Sequence, residues 1–234
     1  MGLLMRFNGS AMWCGLSVAA GLFLMSQAAR ADDDAGGFFV GGNVGRAPIE
    51  TNNTQYQNTL EASAAGSGSL VFTKAALAKR DVAFSVDTGF MFMPYVGAEA
   101  SYVRFGRVSN QLAGSYAGTD GTSESVYAAT VLQSRGPVLG LLFRLPLLDN
   151  VDVNLRLADY YAHTELTSTL IAAQHTSGTT TSNSSSLLAG LGLSYTFAGH
   201  WLAKLDYLRV NQAGNDKTMK YDISMASAGV AYAF

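Results

Sequence analysis

Cysteine is almost missing: Cys14 is the single one in 234 residues. That excludes disulfide frameworks and cysteine-built metal centres. Charge is scarce as well. Asp, Glu, Lys and Arg make up 14% of the chain, against about 25% in soluble domains. The formal net charge is -2, so no basic excess points to nucleic acid and no such partner is expected. After residue 31 no apolar run reaches the ~18 residues of a membrane helix. Yet 48% of the residues are hydrophobic, which argues against a disordered chain. Proline is rare, at 4 residues, and glycine is common, at 25.

The first 31 residues read as a leader. Arg6 gives a positive start, residues 16–25 (LSVAAGLFLM) are apolar, and Ala29-Arg30-Ala31 has the small-residue pattern of a cleavage site. A secretory signal cut before Asp32 is expected. A membrane anchor is the competing reading, but an apolar core of about 10 residues falls short of the roughly 20 that span a bilayer. Cys14 is a poor lipid-attachment site, because Trp13 precedes it and the apolar core comes after it. The domain expected is thus 32–234. The leader takes two of the 15 basic residues and none of the 17 acidic ones, leaving a net charge of -4.

The remainder of the chain alternates with period 2, the period of a β-strand. Residues 187–197 set Leu187, Leu191, Leu193, Tyr195 and Phe197 on one face and Gly190, Gly192 and Ser194 on the other. Residues 82–92, 96–102, 139–145, 151–161, 201–207 and 230–234 do the same, and another strand begins near Phe38. That makes eight strands. Asp159 breaks the pattern and predicts a bulge or a strand leaving the membrane. Short connections (93–94, 147–150, 198–200) alternate with long polar ones (47–80, 106–125, 164–186, 211–217). An up-and-down antiparallel barrel gives that order directly. A soluble lipocalin-like barrel would bury its apolar face inside. Here the polar faces hold Gly and Ser with paired charges, and the chain is too charge-poor for a soluble exterior, so the apolar faces point to lipid. Phe38, Phe92, Tyr95, Phe197, Trp201 and Phe234 gather at the short-turn rim, where aromatic side chains favour the membrane interface.

The segments GGFFVGGNVG (36–45), GFMFMPYVGAEASYV (89–103), LFRLPLLDNVDVNLRLA (142–158) and GLGLSYTFAGHWLAKLDY (190–207) resemble the OmpA-like, opacity-type family of eight-stranded outer-membrane barrels. The resemblance implies an all-β transmembrane barrel in the outer membrane, with outer-membrane lipid and lipopolysaccharide as surroundings. It also implies delivery to the barrel-assembly machinery through the last strand, where Val230, Tyr232 and Phe234 look like the family's C-terminal signal. The chain stops on that strand, so the wall-binding domain of longer relatives has no counterpart and wall tethering is not implied. Asn43 stands where some members carry a basic residue.

Parity places Asp87, Glu99, Arg144, Asp152, Arg156, Lys204 and Asp206 toward the lumen. Eight strands leave a lumen just wide enough for side chains to fill, so these charges predict a salt-bridged plug; a narrow ion or solute path is the alternative. Arg156 and Lys204 are the natural partners of Glu99 and Asp206. Some eight-stranded barrels modify lipid A, which directs attention to His163, with Thr164, Glu165 and Ser168 beside it. No His-x-Ser pattern of the deacylases is present, His175 lies in a Ser/Thr-rich stretch and His200 in a short turn. No enzyme, metal or cofactor is expected, and no P-loop is found. Residues 176–186 (TSGTTTSNSSS), nine of 11 Ser or Thr, predict a mobile surface loop. Finally, an apolar residue is followed two positions on by Arg46, Arg104, His163 and Arg209 on the four outgoing strands. Arg46, Arg104 and Arg209 sit roughly 19 Å up the membrane normal, near the top of a ~25 Å apolar band. They predict a lipopolysaccharide-contacting belt, with His163 joining at low pH. The expected role is a monomeric structural barrel serving envelope integrity and surface contacts.

Overall fold

The computed structural model describes residues 37–50, 68–78, 82–118, 121, 123–171, 175–215 and 220–234. The expected leader, 1–31, lies outside them. Strand succeeds strand along the chain: β1 (Phe38–Arg46), β2 (Ile49–Glu50), β3 (Gly68–Ala78), β4 (Val82–Met93), β5 (Val96–Gly118), β6 (Ser123–Leu148), β7 (Val151–Ile171), β8 (His175–Phe197), β9 (Trp201–Ala213) and β10 (Tyr221–Ala233). β1 and β4 to β10 pair antiparallel in chain order, and β1 also pairs with β10, from Phe39 opposite Ala233 to Arg46 opposite Ala226. The pairings therefore return to their start. The last residue takes part: Phe234 N donates to Phe38 O at 2.9 Å. In lipid nothing else can satisfy main-chain polar groups, so a sheet must close on itself.

Alternation decides the two faces. Val86, Leu141, Leu157, Leu191, Leu205 and Val230 are exposed on the outside, as a lipid-facing band requires. At the short-turn rim the Trp201 and Tyr232 rings lie 5.2 Å apart, Tyr232 and Phe234 5.0 Å, and Phe38 and Phe234 5.6 Å. The lumen is filled in layers. Phe39, Met91, Leu142, Leu202 and Ala231 form an apolar floor. Charged and amide side chains occupy the middle. Val103, Phe105, Tyr160, Leu188, Leu208, Val210, Ile223 and Met225 close the top. Tyr160 meets Phe105 edge to face at 5.3 Å and its hydroxyl hydrogen-bonds Ser134 Oγ at 2.8 Å; Thr164 and Tyr221 hydroxyls pair at 2.7 Å.

Three expected loops are strand instead. Of residues 164–186, expected as a long loop with 176–186 mobile, 164–171 belong to β7 and 175–186 to β8. The register of that pair runs unbroken from Val151 opposite Tyr195 to Ile171 opposite His175. A paired hairpin satisfies its own backbone without burying a core, and the Thr residues that dominate it favour extended backbone. Of residues 106–125, 106–118 likewise continue β5 and 123–125 open β6, with Val108, Leu112, Val126 and Ala128 of this pair buried on one face. Within 47–80, residues 68–78 form β3 against β5. Asp159 is not at a bulge: the β7–β8 ladder passes it without a shift, and Ser185 Oγ donates to Asp159 Oδ1 at 2.5 Å. Above the ring, β3, β5, β6, β7 and β8 thus form a tall open sheet with β3 and β8 as its edges.

The β8–β9 ladder begins at Leu188, so among the described residues the upper part of β8 is laddered only to β7. Main-chain amides of 188–196 are expected to exchange with deuterium at least about tenfold more slowly than those of 177–182, since local opening is cheaper where one ladder is missing. Equal protection along β8 would show a second neighbour on that edge.

Candidate functional site

The middle layer of the lumen gathers five of the seven inward charges. Arg156 Nε reaches Glu99 Oε2 at 3.0 Å and Arg156 Nη1 reaches Asp206 Oδ1 at 2.6 Å. Lys204 turns to Asp87 at 2.5 Å, with Asp206 farther off at 3.9 Å. So Arg156 takes both acids, and Lys204 takes one outside the expected pairing. Arg144 and Asp152 stand apart, 3.9 Å from each other and more exposed, below the main group. A charge without a partner in such a place is strongly unfavourable. The pairs are extended by groups that charge alone does not point to. Asn43 Nδ2 donates to Ser85 Oγ at 3.1 Å and to Asp87 Oδ1 at 2.7 Å, and Asn154 Nδ2 donates to Ser194 Oγ at 2.9 Å. Parity is the signal for them: each lies on the face that also carries the charges.

Space for these long side chains comes from glycine. Asp87 faces Gly41 across the ladder, Glu99 faces Gly140, Arg156 faces Gly190, Asp206 faces Gly192 and Lys204 faces Gly229. A Cβ on Gly192 would stand 2.2 Å from Asp206 Oδ1, and one on Gly41 3.1 Å from Asp87 Oδ2. The first leaves no room for the Asp206 carboxylate where it is, and the second would make the Asp87 carboxylate give by a few tenths of an ångström. On either side of Arg156 remain cavities of about 20 Å³ and about 10 Å³, close to what one water needs.

The four residues expected as a belt do not share one environment. Arg209 is held by Asp222 at 3.6 Å and by Asn211 Oδ1 at 3.0 Å. Arg46 is exposed between Val82 and Ala226. Arg104 faces Arg135 on β6, and Arg135 faces His163 on β7. Arg135 escapes the sequence reading because it lies beyond the stretch of β6 that alternation marks. His163 Nδ1 is 2.8 Å from Asn183 Oδ1, and its neighbour Thr164 points inward to Tyr221. Ser185 serves Asp159 instead. Among the described residues neither Thr164 nor Ser185 thus hydrogen-bonds the His163 ring, the contact a nucleophilic relay uses. Among the described residues no group of acids and histidines could hold a metal ion.

A family model described as the OmpA-like transmembrane domain matches residues 32–234. Among solved structures, OprG from Pseudomonas aeruginosa aligns at 14% identity with a TM-score of 0.48, over 86% of this chain and 97% of that one. The attachment invasion locus protein Ail of Yersinia pestis aligns at 14% identity with a TM-score of 0.46, over 86% and 99%. Neisserial surface protein A aligns at 13% with a TM-score of 0.44, over 84% and 97%. Among curated proteins none matches.

Removing one member of the buried group leaves its partners uncompensated. Arg156→Met is expected to cost about 3–5 kcal/mol, read as a lower unfolding midpoint in a heat-modified gel-mobility series. Gly192→Val should destabilise as well, because its side chain takes the place of the Asp206 carboxylate. Wild-type midpoints for both variants would count against the packed network.

Proposed function

Because the chain belongs to the OmpA-like transmembrane domain family, we propose that it is a closed, monomeric outer-membrane barrel. Its work is structural: it contributes to envelope integrity and presents a polar surface outward. The observation that carries this reading is the filled lumen. An ion-paired layer centred on Arg156 is sandwiched between the apolar floor at Phe39 and Leu142 and the apolar cap at Phe105, Tyr160 and Leu208. An ion crossing it would have to displace both the pairs and the cap.

A structural role also fits the disposition of the polar groups outside. His163 is engaged by Asn183, apart from the Ser185–Asp159 pair, which supports a non-enzymatic reading. The tall sheet of β3 and β5 to β8 supplies the surface for contacts. The C-terminal strand, sealing the ring against β1 and ending at Phe234, fits recognition by the barrel-assembly machinery during insertion.

Planar-bilayer recording tests the reading. The refolded protein is expected to give no stable conductance steps. A steady conductance that changes with Glu99→Gln would replace the plug with a narrow ion path.

A further inference from the structure

The β5–β6 ladder is interrupted at Phe105 and Gly106. Below the interruption Arg104 faces Arg135, and above it Arg107 faces Gln133, so β5 carries one extra residue. Gly106 has φ 80°, a left-handed conformation that glycine adopts without steric cost. A bulge of this kind re-aims the side chains beyond it. Strict alternation would turn Arg107 to the opposite face from Arg104. The bulge returns it to the outside, where it is exposed.

Arg104, Arg107 and Arg135 therefore share one outer patch on two adjacent strands, with His163 directly across from Arg135. Arg104 and Arg135 are like charges on facing positions, an arrangement that destabilises a sheet. Among the described residues neither has an ion-pair partner. Among the described residues Arg107 donates to Gln133 Oε1, at 3.2 Å, and the nearest described acids do not neutralise the arginines. Glu165 faces Gln133 one row above, and Asp159, below, accepts from Ser185. Immediately beneath the arginines stand Tyr102, facing Pro137, and Tyr161, facing Ser185. Leu139, Leu157 and Leu187 are exposed lower down. The patch thus rests on the upper edge of the apolar band.

We propose that Arg104, Arg107 and Arg135 bind a phosphate group of lipopolysaccharide in the outer leaflet, with His163 and Asn183 flanking the site. Guanidinium forks match phosphate oxygens bidentately, and a doubly charged phosphate relieves the repulsion among the three arginines. The apolar band directly below suits a phosphate that is carried on acyl chains. This replaces an even belt by a one-sided site, leaving out Arg46 and Arg209. It rests on the outer-membrane reading and not on whether the lumen is closed.

The test measures the unfolding half-time of the refolded barrel at one fixed temperature, by heat-modified gel mobility. The protein is placed in phosphatidylcholine vesicles alone, with lipopolysaccharide, with chemically dephosphorylated lipopolysaccharide, or with inorganic phosphate in solution. Lipopolysaccharide is expected to lengthen the wild-type half-time several-fold, and the other additions to leave it near the starting value. The Arg104→Gln, Arg107→Gln, Arg135→Gln triple variant should lose most of that gain, while the Arg46→Gln, Arg209→Gln double variant keeps it. The site does not exist if wild type gains nothing, if the triple variant keeps the full gain, or if the double variant loses as much. An equal gain from inorganic phosphate, or from the dephosphorylated glycolipid, would overturn the assignment to a lipid-borne phosphate. Conductance of the same preparations judges the closed-lumen reading separately.

Discussion

The width of an eight-stranded ring governs what can stand inside it. There is room for one long side chain only where the strand beside it contributes almost nothing. The lumen meets this condition at each of five buried charges, every one facing a glycine across the ladder. The same narrowness forces the charges together. Arg156 is buried and is satisfied by Glu99 and Asp206, while Lys204 is satisfied by Asp87 and Asn43 completes that acid. Glycine content and internal ion pairing are one adaptation seen from two sides.

The stacking of layers results from where water can enter. Near either mouth a charge would trade its partner for solvent. The apolar floor and cap shield the ions from bulk solvent at mid-height, where the attraction between them is least screened. The hydroxyls of Tyr160, Ser134, Thr164 and Tyr221 are the exception within the cap, and they satisfy one another. A polar group in such surroundings has to be bonded or it is costly.

Within the membrane the chain is legible because lipid enforces alternation. Outward Leu and Val against inward Gly, Ser and charge mark eight strands, their order and the short turns between them. Above the membrane that enforcement stops. Residues 106–118 and 175–186 carry Ser, Thr, Asn and Gln on both faces, so they read as loops although they pair in register. Arg107 escapes notice for a related reason: parity counting fails across a bulge, and nothing but Gly106 marks one. Arg135 is hidden because the alternation of its strand is clear only along the apolar stretch. Asn43 is on the right face, yet it stands out for the charge it lacks rather than for the amide it offers Asp87. The choice of Asp87 over Glu99 by Lys204 depends on how neighbouring strands are staggered, which alternation along a single strand does not encode.

The unequal heights of the strands give the molecule a front and a back. β1 stops at Arg46 and β9 at Ala213, whereas β5 runs on to Gly118 and β6 begins at Ser123. Beyond Arg104 the tall side continues for roughly 45 Å of strand. Turning the barrel about the membrane normal therefore changes what an approaching object meets: a low lip in one direction, a standing wall in the other. Two such barrels side by side would be shielded from each other or open to each other according to their headings. The azimuth of the protein in the plane of the bilayer, and not its depth alone, then decides which side an approaching object meets.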